Sequence, residues 1–180
     1  LVAYGADAGA CVERARAAGI RAIKGNCEAN LGAGRGDCGC GFAPGSSCDA
    51  LSAAWYAHAQ NQLTPAQREW LAALPERFDI ALNGLRLTVL HGAPSGIATF
   101  VFPSAPAAVK NSELALLDEK GDARVDGVIV GHSGLPFTQI VEGRLWHNSG
   151  ALGMPANDGA PRVWFSVLTP GGRPGSIDIE

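Results

Sequence analysis

Leu85-Arg86-Leu87-Thr88-Val89-Leu90-His91-Gly92 is a short extended run that ends on an imidazole followed by a glycine. Ahead of it stands Asp79 to Leu82, and the two runs are joined by Asn83-Gly84, the pair that a two-residue type I′ hairpin turn demands. The same ending recurs twice. Val125 to Val130, interrupted at Gly127, delivers Gly131-His132-Ser133-Gly134, and Ile20 to Lys24, read as a short buried strand, delivers Gly25-Asn26-Cys27-Glu28. Each segment puts a metal-competent side chain just past a strand and beside a residue that lets the backbone turn sharply. Strand ends are where open α/β sheets place their sites.

The rest of the chain fills in an α/β pattern. Asp7 is placed to cap a helix running to Arg16 or Ala17, with Cys11, Val12 and Ala15 inside and Gly19 at its end. Glu28 to Ser47 is Gly-rich and reads as one long loop, of the kind that is functional or mobile. A helix from Asp49 to Asn61 carries Leu51, Ala54, Trp55 and His58, and Thr64-Pro65-Ala66-Gln67 is a capping box that opens another through Leu74. Ser112 to Asp118 reads as a helix. Phe137 to Val141 and Arg144 to His147 read as strands joined at Glu142-Gly143, and a final strand is expected over Arg162 to Leu168. The four tryptophans are spread through these elements as core or interface material.

The 180 residues, 47% apolar and 17% charged, suit one soluble domain, so residues 1–180 are taken as a single unit. A net charge of −3 gives no electrostatic reason to expect a nucleic-acid polymer as partner. No apolar run reaches the roughly 18 residues that span a bilayer, and no leader pattern opens the chain, which makes the cytoplasm the default location and excludes a membrane role. Five cysteines between Cys11 and Cys48 do not form the even framework of a small secreted domain and are read as reduced thiols. Leu1-Val2-Ala3-Tyr4-Gly5 reads as the tail of an extended segment, which implies that the first strand or strands of the domain lie ahead of Leu1.

In their order along the chain, Gly25-Asn26-Cys27-Glu28, His91-Gly92 and Gly131-His132 resemble motifs of the calcineurin-like metallophosphoesterases. That pattern runs Asp-x-His, Gly-Asp, Gly-Asn-His-Asp/Glu, His-Gly and Gly-His-Thr-His. The likeness extends to Tyr4-Gly5 with its following helix and to Leu145-Trp146-His147-Asn148-Ser149-Gly150, which resembles the family's closing Asn-Pro-Gly segment. It covers nearly the whole chain. The resemblance implies two β-sheets flanked by helices, here without the leading strands, and a dinuclear site for a divalent metal such as Mn, Fe or Zn. Asn26, His91 and His132 would be ligands of one ion, with His91 and His132 central to catalysis. The expected reaction is hydrolysis of a small phosphomonoester, phosphodiester or nucleotide.

Two positions depart from that pattern. Cys27 stands where the family has the histidine that serves the leaving group, and Gly134 stands where it has the second histidine of Gly-His-Thr-His. Both favour the alternative, a non-catalytic relative that uses the fold to bind a ligand or partner. Cys27, Cys38, Cys40 and Cys48 invite a reading as a thiolate metal site or a redox pair, against a bland one of small loop residues, although no Cys-x-x-Cys spacing is present. His58 reads as a packed or surface residue. His147 could supply a missing ligand or simply end its strand. Loss of leading strands would expose a sheet edge, so a homo-oligomer that covers it is a further expectation.

Overall fold

The computed structural model describes residues 1–120, 124–153 and 160–180. The chain divides into two compact units, residues 1–76 and 77–180.

The first unit is helical. Asp7 caps α1 (Ala8–Ala17) by accepting from Ala10 N, and α1 buries Ala8, Val12 and Ala15 while Cys11 stays exposed. Gly25 opens α2 (Asn26–Gly32), and Glu28 reaches back to Gly25 N at 2.9 Å to satisfy the start of the helix. α3 (Ser47–Gln62) is capped by Ser46, and α4 (Pro65–Ala73) by the Thr64–Gln67 box with proline at its first turn. Val2, Val12, Leu31, Tyr56 and Leu71 form its core.

The second unit is built on a mixed sheet of five strands. The hairpin β1 (Arg77–Leu82) and β2 (Leu85–Leu90) turns at Asn83 and Gly84, with φ of 50° and 84°, as a type I′ turn requires. After α5 (Ala107–Lys120), β3 (Gly127–Val130) pairs parallel to β2. β4 (Phe137–Val141) and β5 (Arg144–Asn148) form a second hairpin at Glu142 and Gly143, both at positive φ. The spatial order is β1-β2-β3-β5-β4, and β3 and β5 are parallel. Every residue of β5 is buried, and Trp146 is the largest side chain with almost no exposure. Arg144 is buried at the start of β5 and makes a two-pronged pair with Asp118 at 2.8 and 2.9 Å. A separate two-stranded ribbon joins β6 (Leu168–Pro170) to β7 (Ile177–Ile179).

Four expectations are corrected. Ile20 to Lys24 is extended but forms no strand: Lys24 N donates to Pro75 O, and Ile20 is exposed. An apolar run signals an extended tendency, whereas a strand also needs a neighbour to pair with. The stretch read as one loop from Glu28 begins as α2, because Glu28 acts as a helix-start partner. On α3 the buried face is Ser52, Tyr56 and Ala59 rather than the one marked by Leu51, which is 69% exposed; Tyr56 OH donates to Arg35 O and fixes that rotation. Finally, 162–166 does not pair as a strand: Val167 exchanges backbone hydrogen bonds with Glu180 at 2.9 and 3.0 Å, and the strand itself runs from Leu168.

Gly127 is the tightest point of the sheet. A Cβ there would run into the backbone carbonyl and Cα of Leu145 on the neighbouring strand. Gly127→Ala is expected to destabilise the second unit by about 1–3 kcal/mol in urea unfolding, as overpacking does. Gly172→Ala, where a Cβ meets nothing within 4 Å, is expected to stay within about 0.5 kcal/mol of the parent.

Candidate functional site

β2 and β3 run parallel in register, Leu87 beside Gly127 and Val89 beside Ile129, so their C-terminal ends open side by side. The His91 carbonyl then accepts from both Gly131 N and His132 N at 2.9 Å, which carries the pairing one step past the strands. Gly92 is required at the next position: a Cβ would meet the Gly96 carbonyl oxygen at 2.7 Å, and the loop could not fold back over the strand end. Ser95 anchors that loop through Glu113, its N and Oγ both donating at 2.8 Å.

This backbone brings the His91 and His132 side chains together. His91 Nε2 lies 3.1 Å from His132 Nδ1, with ring centroids 5.0 Å apart and the planes at 64°. Phe100 covers the second imidazole at 4.2 Å between centroids. Burial, and secondarily the nearby His91, push His132 down to about 4, with the Ala98 backbone opposing weakly. The ring is therefore neutral at ordinary pH. Its Nε2 is buried and makes no hydrogen bond among the described residues.

These observations fit a divalent metal. His91 Nε2 and His132 Nδ1 are at hydrogen-bond distance from each other, and two imidazole nitrogens brought this close could also share one ion. A neutral imidazole, as at His132, is the protonation state that ligation needs, and imidazole suits Mn, Fe or Zn. Among the described residues, however, no three His, Cys, Asp or Glu side chains gather into a group that could hold an ion. Two ligands alone do not make a closed site.

Asn26 and Cys27 belong to the first unit, at the start of α2. The Asn26 amide is buried and donates to Cys38 O at 2.8 Å, with Cys40 Sγ at 3.3 Å and Cys27 Sγ at 3.5 Å. Burial, with Glu28 beside it, pushes the Cys27 thiol up to about 12, so it stays protonated. It is neither a thiolate nucleophile nor a ready ligand in this state. The expectation of reduced cysteines is corrected by a disulfide between Cys38 and Cys40, while Cys11, Cys27 and Cys48 are free.

The other histidines have structural partners. His147 sits between Thr138 Oγ1 and Ser166 Oγ, each at 2.9 Å, and is 3% exposed, which excludes it as a substitute ligand in this arrangement. His58 Nε2 lies 2.9 Å from Ala6 O on the surface. Gly134 takes φ +69°, a conformation that L side chains seldom adopt. Two contributors escaped the sequence reading. Phe100 left no signal in its Pro-rich surroundings. Asn148, which donates to Ser133 Oγ at 2.9 Å and accepts from Gly150 N, was marked only as part of a motif.

No family model matches the chain, and no curated protein matches it either. Solved structures do. A hypothetical protein from Pyrococcus horikoshii OT3 superposes with a TM-score of 0.64 at 13% identity, over 95% of this chain and 66% of that one. A metallophosphoesterase from Sphaerobacter thermophilus superposes with a TM-score of 0.61 at 21% identity, over 91% of this chain and 67% of that one. The chain thus spans about two thirds of the length of the structures it matches. At these identities the likeness is one of fold: the chain has the α/β fold of the calcineurin-like metallophosphoesterases.

His132 and His147 are both held below the usual histidine value by burial. A depressed folded-state value means that the unfolded chain takes up protons first as pH falls. Their contribution to stability is therefore full above pH ~6.5 and is lost as pH drops from there toward the folded value, about 4 for His132. His132→Gln is expected to flatten the loss of urea midpoint between those pH values, leaving a residual slope from His147. An unchanged slope would mean that His132 is not buried as a neutral ring.

Proposed function

We propose that this chain is the greater part of a single metal-dependent phosphoesterase domain, residues 1–180, acting on a small phosphomonoester, phosphodiester or nucleotide. The observation that supports this best is the 3.1 Å approach of His91 Nε2 to His132 Nδ1 at the ends of adjacent parallel strands. The likeness in fold to the metallophosphoesterase from Sphaerobacter thermophilus makes the reading concrete. His91 and His132 would hold the metal. A divalent ion held by these imidazoles would supply Lewis-acid chemistry for a phosphate ester. The chain's own part is to keep the His132 ring neutral, to shield one face of it with Phe100, and to fix its backbone on the His91 carbonyl.

A second reading has its own support. Gly134 offers no ligand and stands at positive φ, and Cys27 is a buried, protonated thiol in place of a leaving-group histidine. Both favour a degenerate relative that keeps the fold and binds a ligand or partner without turnover.

Purified protein titrated with Mn²⁺, and then assayed on p-nitrophenyl phosphate and its bis-ester, separates the two. For an enzyme, His132→Ala is expected to abolish metal uptake and to lower hydrolysis by more than about 100-fold, beyond the 10–100-fold that losing a supporting group costs. Cys48→Ser, at an exposed thiol, is expected to change neither. Metal binding without hydrolysis would favour the degenerate relative. Metal retained by His132→Ala would remove this pair as the site.

A further inference from the structure

We propose that Phe100 and Phe102 form a stacking platform beside the imidazole pair, and that the substrate is a phosphate ester whose alcohol carries a flat aromatic base, a nucleoside monophosphate. The inference rests on the phosphoesterase reading for its phosphate end and names the substrate class of that site. The starting observation is a row of rings within the second unit. His91 lies against His132 with centroids 5.0 Å apart, Phe100 lies on His132 at 4.2 Å, and Phe102 stacks on Phe100 at 5.7 Å with the two planes 2° from parallel. The inner end of the row is the pair that would hold the metal. The outer end, Phe102, is 42% exposed.

A single exposed apolar side chain is ordinary on a protein surface and means nothing by itself. This one stands on a fixed backbone. Val101, between the two phenylalanines, is 5% exposed and packs in the core with Leu114, Val128 and Trp146, so it points inward while the rings on either side of it meet each other. Pro103 keeps the Phe102 backbone out of the helical region. Beyond it, Ala105 N donates to Phe102 O at 3.0 Å, and Lys110 Nζ donates to Pro103 O at 3.2 Å and to Ala105 O at 2.6 Å. Lys110 is 1% exposed, and a buried ammonium is costly to desolvate, yet its hydrogen bonds go to this loop. Gln139 Nε2 donates to the same Pro103 carbonyl at 3.1 Å. A ring held in advance loses little freedom when a ligand settles on it.

The chemistry of the platform selects the ligand. A benzyl ring offers a π face, which attracts another flat ring in an offset or edge-on arrangement. Alkyl and sugar phosphates have no ring to place there. An aryl phosphate carries its ring on the reacting oxygen, next to the metal, whereas the exposed ring lies one ring further out than the one touching His132. A sugar between phosphate and base supplies that span. Truncating an aromatic that stacks on a base weakens binding by roughly 5–150-fold.

The test uses the whole chain loaded with Mn²⁺, with AMP and ribose phosphate as ligands that differ only in the base. Equilibrium dialysis is expected to show AMP held at least about tenfold more tightly than ribose phosphate. Phe102→Ala is expected to remove that preference and Phe102→Tyr to keep it, while neither changes the affinity for Mn²⁺ or for ribose phosphate. Equal binding of the two ligands by the parent, or a preference that survives Phe102→Ala, would overturn the platform. If p-nitrophenyl phosphate lost as much affinity as AMP in Phe102→Ala, the assignment to nucleosides would fall. Phosphate release is scored separately. Release from ribose phosphate with no preference for AMP would sink the platform and leave the phosphoesterase reading standing. AMP held in a Phe102-dependent way, with no phosphate released from any ester, would do the reverse. Uptake of neither ligand would overturn both.

Discussion

The His91 carbonyl is the point on which the second unit's site depends. It accepts two successive amides, those of Gly131 and His132, and so locks two loops that leave adjacent parallel strands. Parallel strands alone would bring the loops near each other; the shared carbonyl sets the angle at which His132 leaves its strand. From that follow the close approach of the two imidazoles, the seat of Phe100 over one of them, and the burial that keeps it neutral. Gly92 and Gly127 belong to the same constraint, since a Cβ at either would push apart backbones that must touch.

Around that point the sheet is graded in polarity. β5 is buried along its whole length, and most of its polar groups are matched: the Arg144 terminal nitrogens by Asp118, His147 by Thr138 and Ser166, Asn148 by Ser133, while Arg144 Nε and Trp146 Nε1 are buried without a hydrogen-bond partner among the described residues. A buried polar group costs little only when its partners are in place. These matched pairs explain why a strand reading Arg-Leu-Trp-His-Asn can lie inside the protein.

The parts of the fold that were legible in the sequence are those whose signal is local. Asn83-Gly84 could be read as a turn because both positions need positive φ, and Thr64-Pro65-Ala66-Gln67 as a helix start because the capping groups are three residues apart. His91 and His132 were legible as strand-end residues. What was lost depended on partners far along the chain. Ile20 to Lys24 looks like a strand until pairing is required of it. The rotation of α3 is set by a hydrogen bond from Tyr56 to Arg35, and His147 is claimed by Thr138 and Ser166, neither of which any spacing announces. The disulfide was missed because a Cys-x-Cys pair has no fixed meaning without its geometry.

The hairpin turn that opens the second unit has a consequence in time. The Asn83 side-chain amide lies within 3.3, 2.7 and 2.7 Å of the carbonyls of Gly171, Arg173 and Ser176, which are 88, 90 and 93 residues further on. On a ribosome adding 5–20 residues per second, the turn emerges roughly 5–20 s before those carbonyls exist. The hairpin must therefore form and persist on its own backbone preference, with its tip amide solvated. The ribbon of β6 and β7 is added afterwards as a clasp on a turn already made. Vectorial synthesis thus favours one order of events, local turn first and distant clasp second.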